Sequence, residues 1–281
     1  MGAGVLIGVC SLLFSGCMAQ VEIESRGGDL EGVSIEGRES VVAQLDFDTG
    51  AVQLPLDQFS ADAPEFTSRM TAAMETLVQR CLVERGFPGP VTIESKVSEE
   101  GRTFGAWSVS KAAAFGFAGE PERTAEDAVP RGAGYDEAFG SCLDDMRNSL
   151  RSEFSYTDAA NIDRQISTAA YGLTVQSAAG KQAYEDRALC AESKGIVMDP
   201  DRISASVQYY EEAPDMQIRT ATAFAECSVS TGAVQTLFDL MARYQTAMIE
   251  RSAGALSEHQ KKLAEISARF DAIISGAEVP E

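Results

Sequence analysis

The chain has 281 residues, of which 43 are acidic and 23 basic, giving a formal charge of −20, and 44% of them are apolar. That apolar content suffices for one or two packed cores. The acidity disfavours DNA, RNA and anionic teichoic polymers as partners, because phosphate recognition draws on Lys and Arg.

Residues 1–16 carry no charge, and Val5 to Phe14 form an apolar run. Phe14-Ser15-Gly16-Cys17 matches a bacterial lipobox, in which a small residue precedes a cysteine that is acylated and becomes the mature N-terminus. Phe14 stands where leucine is usual, and no Lys or Arg precedes the run. An uncleaved anchor is disfavoured, since the run falls short of the roughly 20 residues needed to span a bilayer. The expectation is therefore a signal peptide over 1–16, lipidation at Cys17 and an extracytoplasmic protein anchored to the cell membrane. Residues 17–44 are acidic, interrupted by Gly27, Gly28 and Gly32, and read as a flexible tether.

Leu45, Phe47, Val52, Leu54, Leu56 and Phe59 surround an Asp48-Thr49-Gly50 turn signal, which predicts a small hairpin or a docked extended segment. Asp46-x-Asp48-x-Gly50 matches the start of a calcium loop, but the later ligands, including a bidentate glutamate, are missing, so a turn is expected and no metal. Asp62 is placed to cap the next helix, with Pro64 and Glu65 in its first turn. Phe66, Met70, Met74, Leu77 and Cys81 then form one core-facing stripe. Val91-Thr92-Ile93 suggests a short strand. Residues 96–133 are the least regular stretch, with Phe104-Gly105, Phe115-Gly116-Phe117 and the only tryptophan, Trp107. Such aromatics either tuck beneath the loop as a satellite cluster or form a candidate binding surface.

A motif then repeats. Cys81 is followed by Arg85-Gly86-Phe87 and Pro90, and Cys190 by Lys194-Gly195-Ile196 and Pro200. Each copy reads as a helix end: a cysteine one turn inside, a basic residue against the negative end of the helix dipole, and a left-handed glycine stop. Ala138-Phe139-Gly140-Ser141-Cys142 is echoed by Ala223-Phe224-Ala225-Glu226-Cys227 in the same order. Repetition of both motifs suggests internal duplication. With Cys10 lost and Cys17 acylated, four cysteines allow three connectivities, and an exported chain can oxidise them. The echo favours Cys81–Cys142 and Cys190–Cys227. Zinc is disfavoured, because no two cysteines stand two to four residues apart and the single histidine is His259.

From Tyr135 onward the periodicity is helical, with Gly172 and Gly180 as candidate breaks, Pro214 opening a helix through Cys227, and a terminal stretch with a turn or bend allowed at Gly254 that reads as a helical hairpin or one long helix closing the bundle. The expected fold is mainly α: a helical bundle of two related disulfide-stapled halves, with a small extended or hairpin segment near the N-terminus. The first half is 45–155, with its irregular loop, and the second is 156–276, ending in a helical hairpin. Residues 277–281 form a disordered tail.

The order Leu54-Pro55-Leu56-Asp57, Cys81 with Gly86-Phe87, Phe104-Gly105, Phe115-Gly116-Phe117, Cys142, Cys190, Gly195, Pro200, Cys227 and Gln245 resembles an uncharacterised family of actinobacterial secreted or lipid-anchored proteins. The resemblance covers most of residues 52–260. It implies an exported, membrane-tethered helical protein and no particular activity. Arg187 departs from it, standing where that family carries an aromatic.

Catalytic motifs are sparse. His259 lies in the polar run Ser257-Glu258-His259-Gln260-Lys261-Lys262, an exposed-looking setting for the only imidazole on which a Ser-His-Asp or Cys-His arrangement could rest. No Gly-x-Ser-x-Gly, phosphate-binding glycine loop or His-Glu-x-x-His occurs, and no cofactor is implied. Adjacent acids such as Asp144-Asp145 and Glu211-Glu212 read as solvated faces. The leading expectation is a non-catalytic envelope module that is attached to the membrane by its lipid and binds a partner protein or cell-wall component. The alternative is a secreted Asp/Glu-dependent hydrolase of cell-wall polymers, which needs two acids converging in a cleft. A solute-binding lipoprotein is weaker, since βαβ alternation is missing.

Overall fold

The computed structural model describes residues 32–87, 101–119, 132–158, 161–210 and 213–277. A two-residue antiparallel ladder, β1 (Gln44–Leu45) with β2 (Val52–Gln53), precedes the helices α1 (Pro64–Glu84), α2 (Val109–Phe115), α3 (Tyr135–Ser149) and α4 (Arg151–Asp158). There follow α5 (Ile162–Gln176), α6 (Ala178–Ser193), α7 (Pro214–Ser230), α8 (Ala233–Arg251) and α9 (Ala253–Ser275). The protein is thus mainly helical, with a hairpin near its N-terminus. No helix among the described residues is long and apolar enough to cross a membrane. Cys17, the signal region, Pro90, the Val91–Ile93 segment and Glu211-Glu212 lie outside the described residues.

Both copies of the repeated motif close their helices in the same way. Gly86 and Gly195 take φ of 82° and 79°, a conformation that costs glycine no Cβ clash. The Phe87 N–H donates to the Leu82 carbonyl at 2.9 Å and the Ile196 N–H to the Ala191 carbonyl at 3.0 Å, while each glycine N–H closes a tighter bond one residue further in. This double bond pattern satisfies carbonyls that would otherwise be orphaned at the helix end. One turn inside each stop the cysteine is oxidised. Cys81–Cys142 joins α1 to α3 and Cys190–Cys227 joins α6 to α7, with Cα separations of 5.7 and 5.6 Å. On the chain-entropy model each closed loop stabilises by about 4 kcal/mol.

Three apolar clusters form, and they do not follow the division near residue 155. The first joins Phe66 and Leu82 of α1 to Cys142 and Met146 of α3, and is completed by Ile266, Phe270 and Ile273 from α9. A second joins α5, α6 and α8, and takes in Leu56, Phe104 and Trp107 from early in the chain. The third packs α2 on α7, with Phe117 against Phe224 and Ile196. Elements of each sequence half therefore complete the core of the other.

Several local expectations are corrected. Asp62 does not cap α1: Ala63 is the N-cap, because the proline after it holds it in an extended conformation (ψ 136°), and Asp62 instead faces Arg164 at 3.7 Å. The last residues assigned to the tether are not free. Ala43 is buried, its N–H donates to Asp239 of α8 at 2.9 Å, and Arg243 donates to the Val41 and Glu39 carbonyls. Residues 39–44 are thus docked through backbone groups that carry no periodic signal. The stretch 96–133 contains α2, which opens on the Ser108 side chain as cap. Helix α5 runs straight through Gly172 and ends at Ser177. The terminal helices are not a hairpin; the break is at Ser252, after which α8 serves α5 and α6 while α9 packs along α1. Asp48-Thr49-Gly50 does form the expected turn, with Asp46 Oδ1 accepting from the Asp48 and Thr49 N–H groups at 2.9 and 3.1 Å. Those bonds hold the Asp46 carboxyl below its ordinary range.

Candidate functional site

The four aromatics near the irregular stretch do not make an exposed surface. Phe104, Trp107 and Phe117 are 2%, 0% and 8% exposed, and Phe115 is half-buried beneath the Lys111 ammonium, 5.6 Å from its ring centre. Phe104 meets Tyr171 and Phe238 at ring separations of 5.7 and 4.8 Å, and Phe117 meets Phe224 at 6.0 Å. Trp107 satisfies its indole N–H on the Gly101 carbonyl at 2.6 Å. Large rings bury much area, and a glycine neighbour lets the backbone approach the core, so this composition favours interior packing. Phe104 and Phe117 bring their chain segment onto α8 and α7.

His259 is also inside, contrary to the exposed reading of its polar run, because it is the one residue of that turn that faces the core. It is 4% exposed. Nε2 lies 3.0 Å from the Phe59 carbonyl, which can only accept, so Nε2 carries the proton and Nδ1 accepts from the Tyr156 hydroxyl at 2.8 Å. Asp163 Oδ1 stands 3.5 Å from Nε2. Burial, then the carboxylates of Asp163 and Glu265, pushes the Tyr156 phenol up, so it stays a donor. The group joins the segment after β2, α4, α5 and α9. A closed node of this kind positions elements; its nitrogens are occupied and face no solvent.

Arg187 is a further buried group, fully covered in the core. Its Nη1 donates to the Phe104 carbonyl at 2.6 Å and its Nη2 to the Ile203 carbonyl, and the guanidinium lies over the rings of Tyr184 and Phe224 at 5.0 and 4.8 Å. Burial pulls its pKa down to about 10. No carboxylate pairs with it among the described residues. The cation is thus held between aromatic faces.

A groove of about 660 Å³ lies on α3 and α4 with Met74 of α1 at its edge. Met74, Leu143, Met146 and Phe154 make an apolar floor, and Arg147, Asn148, Arg151 and Ser155 form the rim. Arg147 reaches Asp144 at 3.2 Å in an exposed pair, and Arg151 donates to Asn148 at 2.8 Å. Among the described residues no carboxylate lines the groove, in a chain where acids outnumber bases by twenty. Helix α4 is held in place from behind by Glu153, itself buried, against Arg269 of α9 at 2.7 Å. Asp145 lies outside, paired with Arg85 at 3.1 Å on an exposed face. The sequence signal for the rim was Arg147 and Arg151 one helical turn apart, which stripe reading for core residues passes over. No cluster of three or more candidate metal ligands occurs among the described residues.

Comparison of the chain with models of known protein families, with curated proteins and with solved structures finds no match to any of them.

Proposed function

We propose that the protein is a non-catalytic, lipid-anchored module of the cell envelope, acylated at Cys17, in which the groove on α3 and α4 receives a partner protein. The observation that carries the reading is the groove's charge. In a strongly acidic molecule it offers two arginines over an apolar floor of Met74, Leu143, Met146 and Phe154, with no lining acid among the described residues. The complement is a segment that is acidic at its edges and apolar in between. Methionine-rich floors repack readily around such segments. Arg147 gives up only an exposed pair, worth little in water, to engage a new carboxylate. The two disulfides are compatible with an extracytoplasmic location, and the lipobox-like Phe14-Ser15-Gly16-Cys17 supports the anchor. The resemblance to actinobacterial lipid-anchored proteins is consistent with both.

The test is photocrosslinking in living cells from a reactive group at Ser155. One protein is expected in near-stoichiometric yield, lost by about tenfold when Arg147→Glu and Arg151→Glu reverse the rim charge. Metabolic labelling with an alkyne fatty acid should mark the chain and fail in Cys17→Ala. Capture that is indifferent to the charge reversal, or turnover of wall polymers by the purified protein that one carboxylate substitution abolishes, overturns the reading in favour of the hydrolase.

A further inference from the structure

Among the described residues, α7 is covered by a helix on a face that α3 leaves open. Cys142 of α3 and Cys227 of α7 hold the same place in the repeated motif, so Phe139, Gly140 and Leu143 are the counterparts of Phe224, Ala225 and Ser228. On α7 all three positions are buried. The Ser228 hydroxyl donates to the Ala106 carbonyl at 3.2 Å, Phe117 meets Phe224 at 6.0 Å, and Gly116 lies against Gln217 and Ile218. Helix α2 therefore runs antiparallel to α7, with Ala112 in their shared cluster. On α3, Phe139 and Leu143 are only half-buried and Gly140 is exposed. Phe139 stacks on Tyr135 of its own helix at 5.9 Å, and a Cβ on Gly140 would meet nothing within 4 Å. Among the described residues α3 packs on α1 and, at its C-terminal end, meets α4 and Arg269 of α9. Spacings of three and four residues put Phe139, Leu143, Met146 and Arg147 on one strip, which continues the floor and rim of the groove.

We propose that the partner protein occupies this strip as an amphipathic helix antiparallel to α3, in the way α2 lies on α7. Its acidic first turn meets Arg147 and Arg151, small and apolar residues cover Phe139, Gly140 and Leu143, and a basic last turn stands beside Asp136 and Glu137. The inference rests on the groove reading of the proposed function and adds the partner's conformation and direction. The charges of α3 select the direction: Asp136 and Glu137 lie in its first turn and Arg147 in its last. An antiparallel helix answers them with acids at its N-terminus and bases at its C-terminus, the ends at which its own dipole favours those charges. A parallel helix would need the reverse, against its dipole. Gly140 removes the side chain that would hold the two backbones apart, as Ala225 and Ala112 do between α7 and α2.

The test extends crosslinking from Ser155 to photoreactive groups placed one at a time at Glu137 and Asp144, two exposed positions that flank the strip. The joined partner residues are then mapped by mass spectrometry. Those joined to Glu137 should lie about seven residues C-terminal of those joined to Asp144, because two helices share one rise per residue. An extended segment would span the same distance in about three residues. Gly140→Leu should melt no lower than the parent, since its side chain enters open space, and should cut capture from Ser155 by about tenfold. Capture from Ser155 with none from Glu137 or Asp144, a spacing of about three residues, the parallel order, or capture undiminished in Gly140→Leu overturns the helix and leaves the groove reading standing. No capture from any of the three positions overturns both.

Discussion

His259 Nε2 can only donate to the Phe59 carbonyl at 3.0 Å, and that single constraint fixes the tautomer and makes Nδ1 the acceptor for Tyr156. Each member is then specified by its neighbour. Tyr156→Phe would leave Nδ1 of a buried imidazole without a donor, and should destabilise by about 1–2 kcal/mol in urea titration; an unchanged midpoint would remove the node from the account of stability. Arg187 follows the same logic with a charge. Its guanidinium is kept in the core by two backbone carbonyls and two aromatic faces, not by an acid. Neither residue was legible as buried from the sequence. His259 sits among charged residues, and Arg187 belongs to a type that rarely enters a core. What places them inside is the packing of α9 against α4, α5 and the segment after β2, and of the segment carrying Phe104 on α6, which local patterns do not encode.

At the scale of elements, two glycines of the same pair of helices have opposite roles. A Cβ on Gly180, in the first turn of α6, would stand 1.9 Å from the Thr174 carbonyl oxygen and 3.0 Å from Ser177 Oγ, so the α5–α6 corner closes only with glycine there. One on Gly172, within α5, would meet nothing within 4 Å. Gly180→Ala should therefore cost about 1–3 kcal/mol by overpacking, whereas Gly172→Ala should gain about 0.5–1 kcal/mol from the reduced entropy loss of alanine in a helix. Thermal melts of the two variants decide it: if both move in the same direction, the corner is not sterically determined. Sequence reading marked both positions as candidate breaks and could not rank them, because the distinguishing atom is a carbonyl across the corner. The helix stops at Gly86 and Gly195 were legible, since a left-handed glycine followed by an apolar residue is a local device.

At the scale of the whole molecule, the cores are shared between distant parts of the chain. The cluster of α1 and α3 needs Ile266, Phe270 and Ile273 of α9, and the cluster of α5 and α8 needs Leu56, Phe104 and Trp107. Fragments 32–155 and 156–277 expressed separately should accordingly lack a cooperative thermal transition and dispersed amide resonances. Each keeps its disulfide pair but loses residues that close its core, and a single large apolar side chain is worth about 1.5–3 kcal/mol of burial. An independently folding fragment would restore the division near residue 155.

The sequence by itself determined the helical class, the positions of both helix stops, the turn after β1 and, through its repeated motifs, the pairing of four cysteines. These depend on contacts within a few residues, or on a pattern written twice along the chain. Only the tertiary structure decided that the aromatics of the irregular stretch are core, that His259 and Arg187 are buried, that α9 belongs to the first cluster, and that Arg147 and Arg151 stand over one apolar floor. Those outcomes depend on which faces meet across separations that run from 16 residues, between Arg187 and Ile203, to 200, between His259 and Phe59. There, the burial of apolar area overrides the local polarity of a segment, and no short-range spacing carries that information.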